Sequence, residues 1–280
     1  MMFMLKTLKL YYHHCLPKKF LTWIAFILAN NQTRWLKNYL INDFIKKHDV
    51  NMLDAAQQDP YSYACFNDFF TRKLASNVRP IAHNRYVCPA DGVISQAGGI
   101  QDNKLLQAKG IDYSLESLIQ EDSLSCKDYL NGSFVTIYLS PKDYHRIHMP
   151  IDGEVLKQTY IPGNLYSVQP FTTENIPNIF SGNERLVLHI QTASGPLIMV
   201  LVGATIVGCI GTAWQGDISK QKNMQTITFS KPISLKKGDE LGYFKLGSTV
   251  IMILPENAYP IWLKSTETGT ATRLGEALAD

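Results

Sequence analysis

No two of the five cysteines form a Cys-x-x-Cys pair. Cys15, Cys65, Cys88, Cys126 and Cys209 are odd in number and widely scattered. That excludes a zinc ribbon and a disulfide framework, and fits reduced, mostly buried thiols in a cytoplasmic protein. Net charge is also scarce: 27 basic residues against 24 acidic leave +3, too little to argue for nucleic acid as a partner. Long apolar runs are missing too. The longest, residues 20–29, falls short of the roughly 20 residues a spanning helix needs. A signal peptide fits poorly, because the run starts late and cleavage after Ala29 would put the bulky Ile27 at the third position back. Finally, no Gly-x-Ser-x-Gly elbow surrounds Ser248, which argues against a hydrolase built on that turn.

What is present begins with a basic N-terminal arm. Residues 1–52 carry Lys6, Lys9, Lys18, Lys19, Arg34, Lys37, Lys46 and Lys47 against only Asp43 and Asp49, so the rest of the chain is acidic overall. Trp35, Leu36, Tyr39, Leu40 and Phe44 recur at helical spacing, with Arg34, Lys37, Lys46 and Lys47 on or beside the polar face. Helices of this kind either pack on the protein's own core or lie in a membrane interface, where anionic lipid adds roughly 1 kcal/mol per basic residue. The Pro17-Lys18-Lys19 lead into a Trp-containing apolar run favours lying on a membrane without spanning it. A further short helix is expected from about Tyr61, where Phe66, Phe69, Phe70 and Leu74 share one face. Packing into a core accounts for that stripe; lining a greasy substrate entrance is the alternative.

Beyond Arg79-Pro80 the pattern changes to short β-branched and aromatic runs separated by Gly, Pro, Asn and Asp. Residues 132–139, 186–191, 197–202, 226–229 and 250–254 read as strands. The expected fold is α+β: a mostly antiparallel, barrel-like β sandwich with an N-terminal appendage of amphipathic helices. The division falls between a helical membrane-associating region, 1–78, and a β-rich catalytic domain, 79–280. Two segments resemble each other, Pro89-Ala90-Asp91-Gly92-Val93 and Pro150-Ile151-Asp152-Gly153-Glu154-Val155, as related turn-and-strand units.

Three features can carry chemistry. His145 and His148 stand three apart in Tyr144-His145-Arg146-Ile147-His148-Met149-Pro150. No third ligand group stands out, so no metal is assigned, and a general base is the chemical alternative to a structural histidine. A histidine base acting on a serine needs a carboxylate to fix its tautomer. Asp91 and Asp152 both qualify, and both also fit ordinary Asp-Gly turns; local sequence does not choose between them. The Gly247-Ser248-Thr249 triplet opens an apolar strand, and taken alone it reads as a turn.

Together these residues resemble the phosphatidylserine decarboxylases of the bacterial membrane-associated type. The likeness rests on Pro89-Ala90-Asp91-Gly92, Tyr144 to Pro150 and Phe244-Lys245-Leu246-Gly247-Ser248-Thr249. It extends to Phe66-Asn67-Asp68-Phe69-Phe70, Leu106-Gln107-Ala108-Lys109-Gly110, Tyr160-Ile161-Pro162-Gly163, Asn183-Glu184-Arg185 and the Val202 to Gly208 segment. The resemblance implies a proenzyme that cuts itself between Gly247 and Ser248 into a β chain, 1–247, and an α chain, 248–280. It implies Asp91, His148 and Ser248 as the relay for that cleavage, Ser248 becoming a covalent pyruvoyl group, the cofactor. The implied reaction joins that group to the serine amine of phosphatidylserine as a Schiff base and yields phosphatidylethanolamine for phospholipid biosynthesis. His145, beside His148, is the candidate for holding the leaving carboxylate or delivering the proton. A peripheral place on the cytoplasmic side of the cell membrane, with residues 1–52 on an anionic surface, and a homodimer of cleaved protomers complete what the resemblance implies.

Overall fold

Turn-forming and charged residues decide where the N-terminal helices end. The computed structural model describes residues 18–205, 209–218, 222–245, 247–258, 262 and 266–280, without the side chains of 18–21 and 123. Lys6, Lys9, Cys15 and Leu246 therefore lie outside the described residues, as do positions 206–208. Helix α1, Lys18–Ala29, stops at Asn30, whose backbone and side-chain nitrogens both return to the Phe26 carbonyl. Helix α2, Arg34–His48, ends at Asp49 in the left-handed region (φ 53°), behind a last turn carrying Lys46, Lys47 and His48. Basic groups there oppose the negative end of the helix dipole. Helix α3, Phe66–Phe70, is a single aromatic turn. Its Phe66, Phe69 and Phe70 pack with Ile41 and Val50 into a small core between the helices, so the aromatic stripe is core here.

The stripe of α2 divides. Ile41 is buried and Leu40 and Phe44 turn inward, whereas Trp35 and Tyr39 are largely exposed, together with Trp23, Phe26, Ile27 and Leu28 of α1. One basic residue departs from its expected place. Lys37 is buried, its Nζ donating to the Tyr61 carbonyl at 2.8 Å and to Asn38 Oδ1 at 3.0 Å. It pins α2 to the following segment and does not sit on the polar face, because its carbonyl partner lies on the inner side.

The β-rich body follows. In chain order it comprises β1 (Tyr86–Val87), β2 (Gly92–Gly99), β3 (Lys104–Ala108), β4 (Ile111–Ser114), α4 (Leu115–Ile119), α5 (Ser123–Cys126), β5 (Ser133–Leu139), β6 (Arg146–His148) and β7 (Gly153–Ile161). Then come α6 (Pro170–Thr173), α7 (Ile179–Gly182), β8 (Arg185–Thr192), β9 (Gly195–Gly203), β10 (Cys209–Thr212), β11 (Gly216–Asp217) and β12 (Gln225–Leu235). The chain closes with β13 (Glu240–Lys245), β14 (Ser248–Leu254), β15 (Ala271–Thr272) and β16 (Ala277–Ala279). An eight-stranded sheet runs β12-β7-β8-β9-β14-β5-β2-β15, and a four-stranded sheet runs β11-β10-β13-β6. Every pairing within them is antiparallel. The outer strands β12 and β15 are not paired to each other, so the large sheet stays open. The result is a sandwich; the barrel-like closure expected from sequence is not present among the described residues.

Period-two alternation sorts β14 between two cores. Val250, Met252 and Leu254 pack with Leu201, Ile147 and Phe244 in the layer between the two sheets. Ile251 and Ile253 pack on the opposite face with Leu118 and Phe180 of the helices that cover it. A strand buried on both faces and paired on both edges requires an unbroken apolar run, which Val250-Ile251-Met252-Ile253-Leu254 supplies.

One close crossing aligns the neighbour of that strand. Gly163 passes over the backbone of Asn183 and Glu184 so closely that a Cβ there would meet Asn183 C at 2.4 Å and Glu184 N at 2.5 Å. Asn183, fully buried, then donates from Nδ2 to the carbonyls of Tyr166 and Gly203, and Gly203 stands opposite Ser248 in the sheet. Gly163→Ala should therefore cost about 1–3 kcal/mol, as overpacking against backbone does, read as a lowered urea midpoint relative to wild type.

Candidate active site at the Gly247–Ser248 junction

The junction stands where the small sheet hands the chain to the large one. Gly247 sits in the left-handed region at φ 50°, a conformation glycine adopts without a Cβ penalty. Ser248 begins β14, opposite Leu139 on β5 and Gly203 on β9, and is fully buried. Its Oγ meets no hydrogen-bond partner among the described residues, and neither does Thr249 Oγ1. A buried hydroxyl without a partner costs about 1–3 kcal/mol, so this end of the strand is not built for stability alone. By alternation Ser248 faces the layer between the sheets, with Val250 and Met252, and Thr249 faces the other way.

Gly247 also lines an apolar cavity of about 390 Å3. Phe66 and Phe70 of α3, Phe44 of α2, and Ala25 and Leu28 of α1 form its far side. Leu28 is itself 41% exposed, so the cavity runs from the junction toward the exposed apolar face of the N-terminal helices.

The two histidines arrive on β6 and the residues leading to it, and strand alternation separates them. Ile147 and Met149 point into the inter-sheet core. His145 has the same parity, is fully buried, and stands where its carbonyl accepts from the Phe244 N–H. Its ring lies 4.1 Å, centroid to centroid, from Phe70. Arg146 and His148 lie on the other face, where Arg146 pairs with Glu240 at 2.5 Å. Each ring has its tautomer set by a carbonyl, which can only accept. His145 Nδ1 donates to the Asp143 carbonyl at 2.8 Å, leaving Nε2 a buried lone pair without a partner. His148 Nδ1 donates to the Gly238 carbonyl at 2.7 Å, and its Nε2 accepts from the Tyr144 hydroxyl at 3.1 Å. Burial lowers both imidazole pKa values, that of His145 to about 3.

The two Pro-x-Asp-Gly segments lie side by side. The His148 N–H donates to the Pro89 carbonyl, and the Val87 N–H to the Pro150 carbonyl. Their aspartates differ. Asp152 is exposed and caps a surface turn, accepting from the Lys237 N–H and from Lys236 Nζ. Asp91 is buried, but both its oxygens are engaged. Arg79 Nη2 donates to Oδ2 at 2.6 Å, Arg79 Nε reaches both oxygens, and the Leu274 N–H donates to Oδ1 at 2.8 Å. Arg79 is in turn tied to Asp54 at 2.9 Å. In this conformation no hydrogen bond joins Asp91 to His148 or His148 to Ser248. Asp91, His148 and Ser248 are brought to neighbouring segments; His145 shares the inter-sheet side of Ser248. Sequence reasoning did not find Arg79, Tyr144 or Asn183 as partners of these groups, since their spacing carries no signal.

Comparison with known proteins adds an independent line. The family model described as "Phosphatidylserine decarboxylase" matches residues 66–280, and a second, described as "PSD", matches residues 8–49. A protein named phosphatidylserine decarboxylase proenzyme from Legionella pneumophila (strain Lens) is 46% identical over 278 residues, covering 98% of this chain and 97% of its own. Proteins of the same name from Polaromonas naphthalenivorans (strain CJ2) and Shewanella sp. (strain ANA-3) are each 44% identical, covering 95% and 97% of this chain and 94% and 96% of theirs.

The buried neutral His145 ring fixes an acid limit on stability. Its folded pKa, about 3, lies below the ordinary value near 6.5, so the unfolded chain binds the extra proton. Stability is then complete above about pH 6.5 and falls as the pH drops toward 3, by up to about 1.4 kcal/mol per pH unit from this group. Urea unfolding at pH 7 and pH 5 should show that fall in wild type, and His145→Gln should reduce it.

Proposed function

The chain belongs to the phosphatidylserine decarboxylase family, and from that premise we propose that it converts phosphatidylserine to phosphatidylethanolamine with a pyruvoyl group made from its own Ser248. The observation that carries this reading is the pairing of Gly247, in a left-handed conformation on an apolar cavity, with the buried, unpartnered Ser248 Oγ.

Self-cleavage follows from those two residues. A histidine Nε2 takes the Ser248 Oγ proton, and the oxygen attacks the Gly247 carbonyl carbon, which no side chain shields. The Gly247–Ser248 C–N bond breaks, the Ser248 nitrogen takes a proton, and an ester replaces the amide. Loss of the Ser248 Cα proton then expels Gly247 as a carboxylate, leaving dehydroalanine, and its tautomerisation and hydrolysis consume water and release ammonia. The α chain stays bound. β14 is hydrogen-bonded to β5 and β9, and β15 and β16 are paired to β2 and β1.

The site suits the group that results. Ser248 Oγ makes no hydrogen bond among the described residues, so its departure with the Gly247 carboxylate forfeits none; Cβ is left as a methyl group and the ketone oxygen takes the place of the Ser248 nitrogen on Cα. That ketone supplies Schiff-base chemistry with a primary amine and accepts the electron pair left when CO₂ departs. The apolar cavity takes the hydrocarbon near the glycerol, and the exposed Trp23, Phe26, Ile27, Trp35 and Tyr39 sit in the bilayer interface on the cytoplasmic side. Homodimerisation of cleaved protomers belongs to the same proposal.

The relay is proposed as Asp91, His148 and Ser248. Closing it requires His148 Nε2 to leave Tyr144, His148 Nδ1 to leave the Gly238 carbonyl, and Asp91 to loosen its hold on Arg79. A second reading is favoured by the free Nε2 of His145 on the inter-sheet side of Ser248: His145 takes the serine proton itself. In its present tautomer His145 has no proton at Nε2 to give, so proton delivery during decarboxylation has to follow such an uptake. Denaturing gels and intact mass decide. Wild type should yield two chains, the smaller starting at 248 without a free amine, and Ser248→Ala one chain of full length. His148→Ala should remain uncut while His145→Ala is cut but slow in CO₂ release; the reverse pattern would transfer the base to His145. One intact wild-type chain would overturn the pyruvoyl reading. Trp23→Glu with Trp35→Glu should weaken sedimentation with phosphatidylserine vesicles and leave cleavage complete; undiminished binding would count against the membrane face.

A further inference from the structure

A second cavity, of about 360 Å3, lies on the polar side of the wall that bounds the apolar one. The chain from Tyr138 to Tyr144 forms much of that wall. Tyr138, Leu139 and Pro141 line the apolar cavity; Ser140, Lys142 and Tyr144 line the polar one. The segment after α3 crosses in the same way, with Phe70 on the apolar side and Arg72 on the polar side.

Arg72 is the unusual member. It is 5% exposed, its guanidinium lies 5.4 Å from the centroid of the Phe69 ring, and its Nη2 donates to the Lys142 carbonyl at 3.1 Å. Its Nη1 has no partner among the described residues. The two carboxylates that act on it electrostatically, Asp91 and Asp143, are bound elsewhere: Asp91 to Arg79 and the Leu274 N–H, Asp143 to the Ser140 N–H and Oγ. No ion pair neutralises Arg72 among the described residues. A buried cation without a counter-ion is costly and calls for an anion, and a planar fork of N–H donors matches an oxyanion. Arg79, Lys142 and Arg273 line the same cavity together with Asp49, Asp54, Asp91, Asp143 and Glu276, of which Asp54 and Asp91 are paired with Arg79.

Resting on the function proposed above, we propose that Arg72 anchors an oxyanion of the phospholipid head group at this polar cavity. Both the phosphodiester and the serine carboxylate present that chemistry.

The test compares cleaved wild type, Arg72→Met and Arg72→Lys. Binding of soluble glycerophosphoserine and glycerophosphoethanolamine is followed by calorimetry, and KM and kcat are taken from CO₂ release in phosphatidylserine micelles. Arg72→Met should raise KM and weaken glycerophosphoserine binding roughly tenfold or more, the scale of one charged hydrogen bond, with kcat little changed. Loss with glycerophosphoethanolamine as well identifies the phosphodiester as the bound oxyanion, and loss with glycerophosphoserine alone identifies the carboxylate; both support the anchor. Arg72→Lys, which keeps the charge without the fork, should fall between, and it serves alone if Arg72→Met does not fold. Unchanged binding and KM in a folded, cleaved Arg72 variant would overturn the anchor and leave Arg72 as the support of the Lys142 carbonyl. Wild type that releases no CO₂ from phosphatidylserine would instead overturn the functional reading, with the calorimetry still deciding whether Arg72 binds an oxyanion.

Discussion

The strand from Ser248 to Leu254 is enclosed on every side, and the rest of the molecule is arranged around that enclosure. β5 and β9 bond its two edges, and its side chains enter two separate cores. Burying Val250, Ile251, Met252, Ile253 and Leu254 contributes roughly 1.5–3 kcal/mol each as an upper estimate. A strand held this firmly gives its first residue a fixed position. Under the proposed self-cleavage it also holds the fragment in place once the peptide bond before that residue is cut. At the head of this strand the left-handed conformation falls on Gly247, where it costs least.

Electrostatics around the junction are arranged by desolvation. His145 and His148 are kept neutral by burial, and each is oriented by a backbone carbonyl. Asp91 is kept by Arg79, with both side chains about 10% exposed. Removing one partner of a buried ion pair costs about 3–5 kcal/mol, so Asp91 supports the fold whatever chemistry it performs. Through the Leu274 N–H it also ties the C-terminal tail to the body.

The N-terminal helices solve a different problem. Their inner faces are filled by Phe66, Phe69 and Phe70, and Lys37 is spent on an internal bond. The outward aromatic residues of these helices stay largely exposed in the described chain. Placed beside the mouth of the apolar cavity, they put a hydrophobic surface next to an apolar route to Gly247.

Much of this was legible in the order of residues. Short β-branched and aromatic runs between turn residues marked β5, β8, β9, β12 and β14 to within a few residues, except that β12 runs on to Leu235 past the expected 229. Its continuation carries Lys231 and Pro232 and is mostly exposed, so no apolar alternation marks it. The Gly-Ser-Thr, His-x-x-His and Pro-x-Asp-Gly motifs supplied the candidate site residues because backbone freedom, a near-neutral base and a carboxylate are properties of residue type. What sequence could not supply was direction. Whether His145 or His148 faces Ser248, whether Lys37 faces solvent, and whether Asp91 holds Arg79 or a histidine depend on the register of β6 with β13 and on how α2 and α3 pack. Those are contacts between segments distant in sequence, and a single strand's pattern says which residues share a face but never what that face meets.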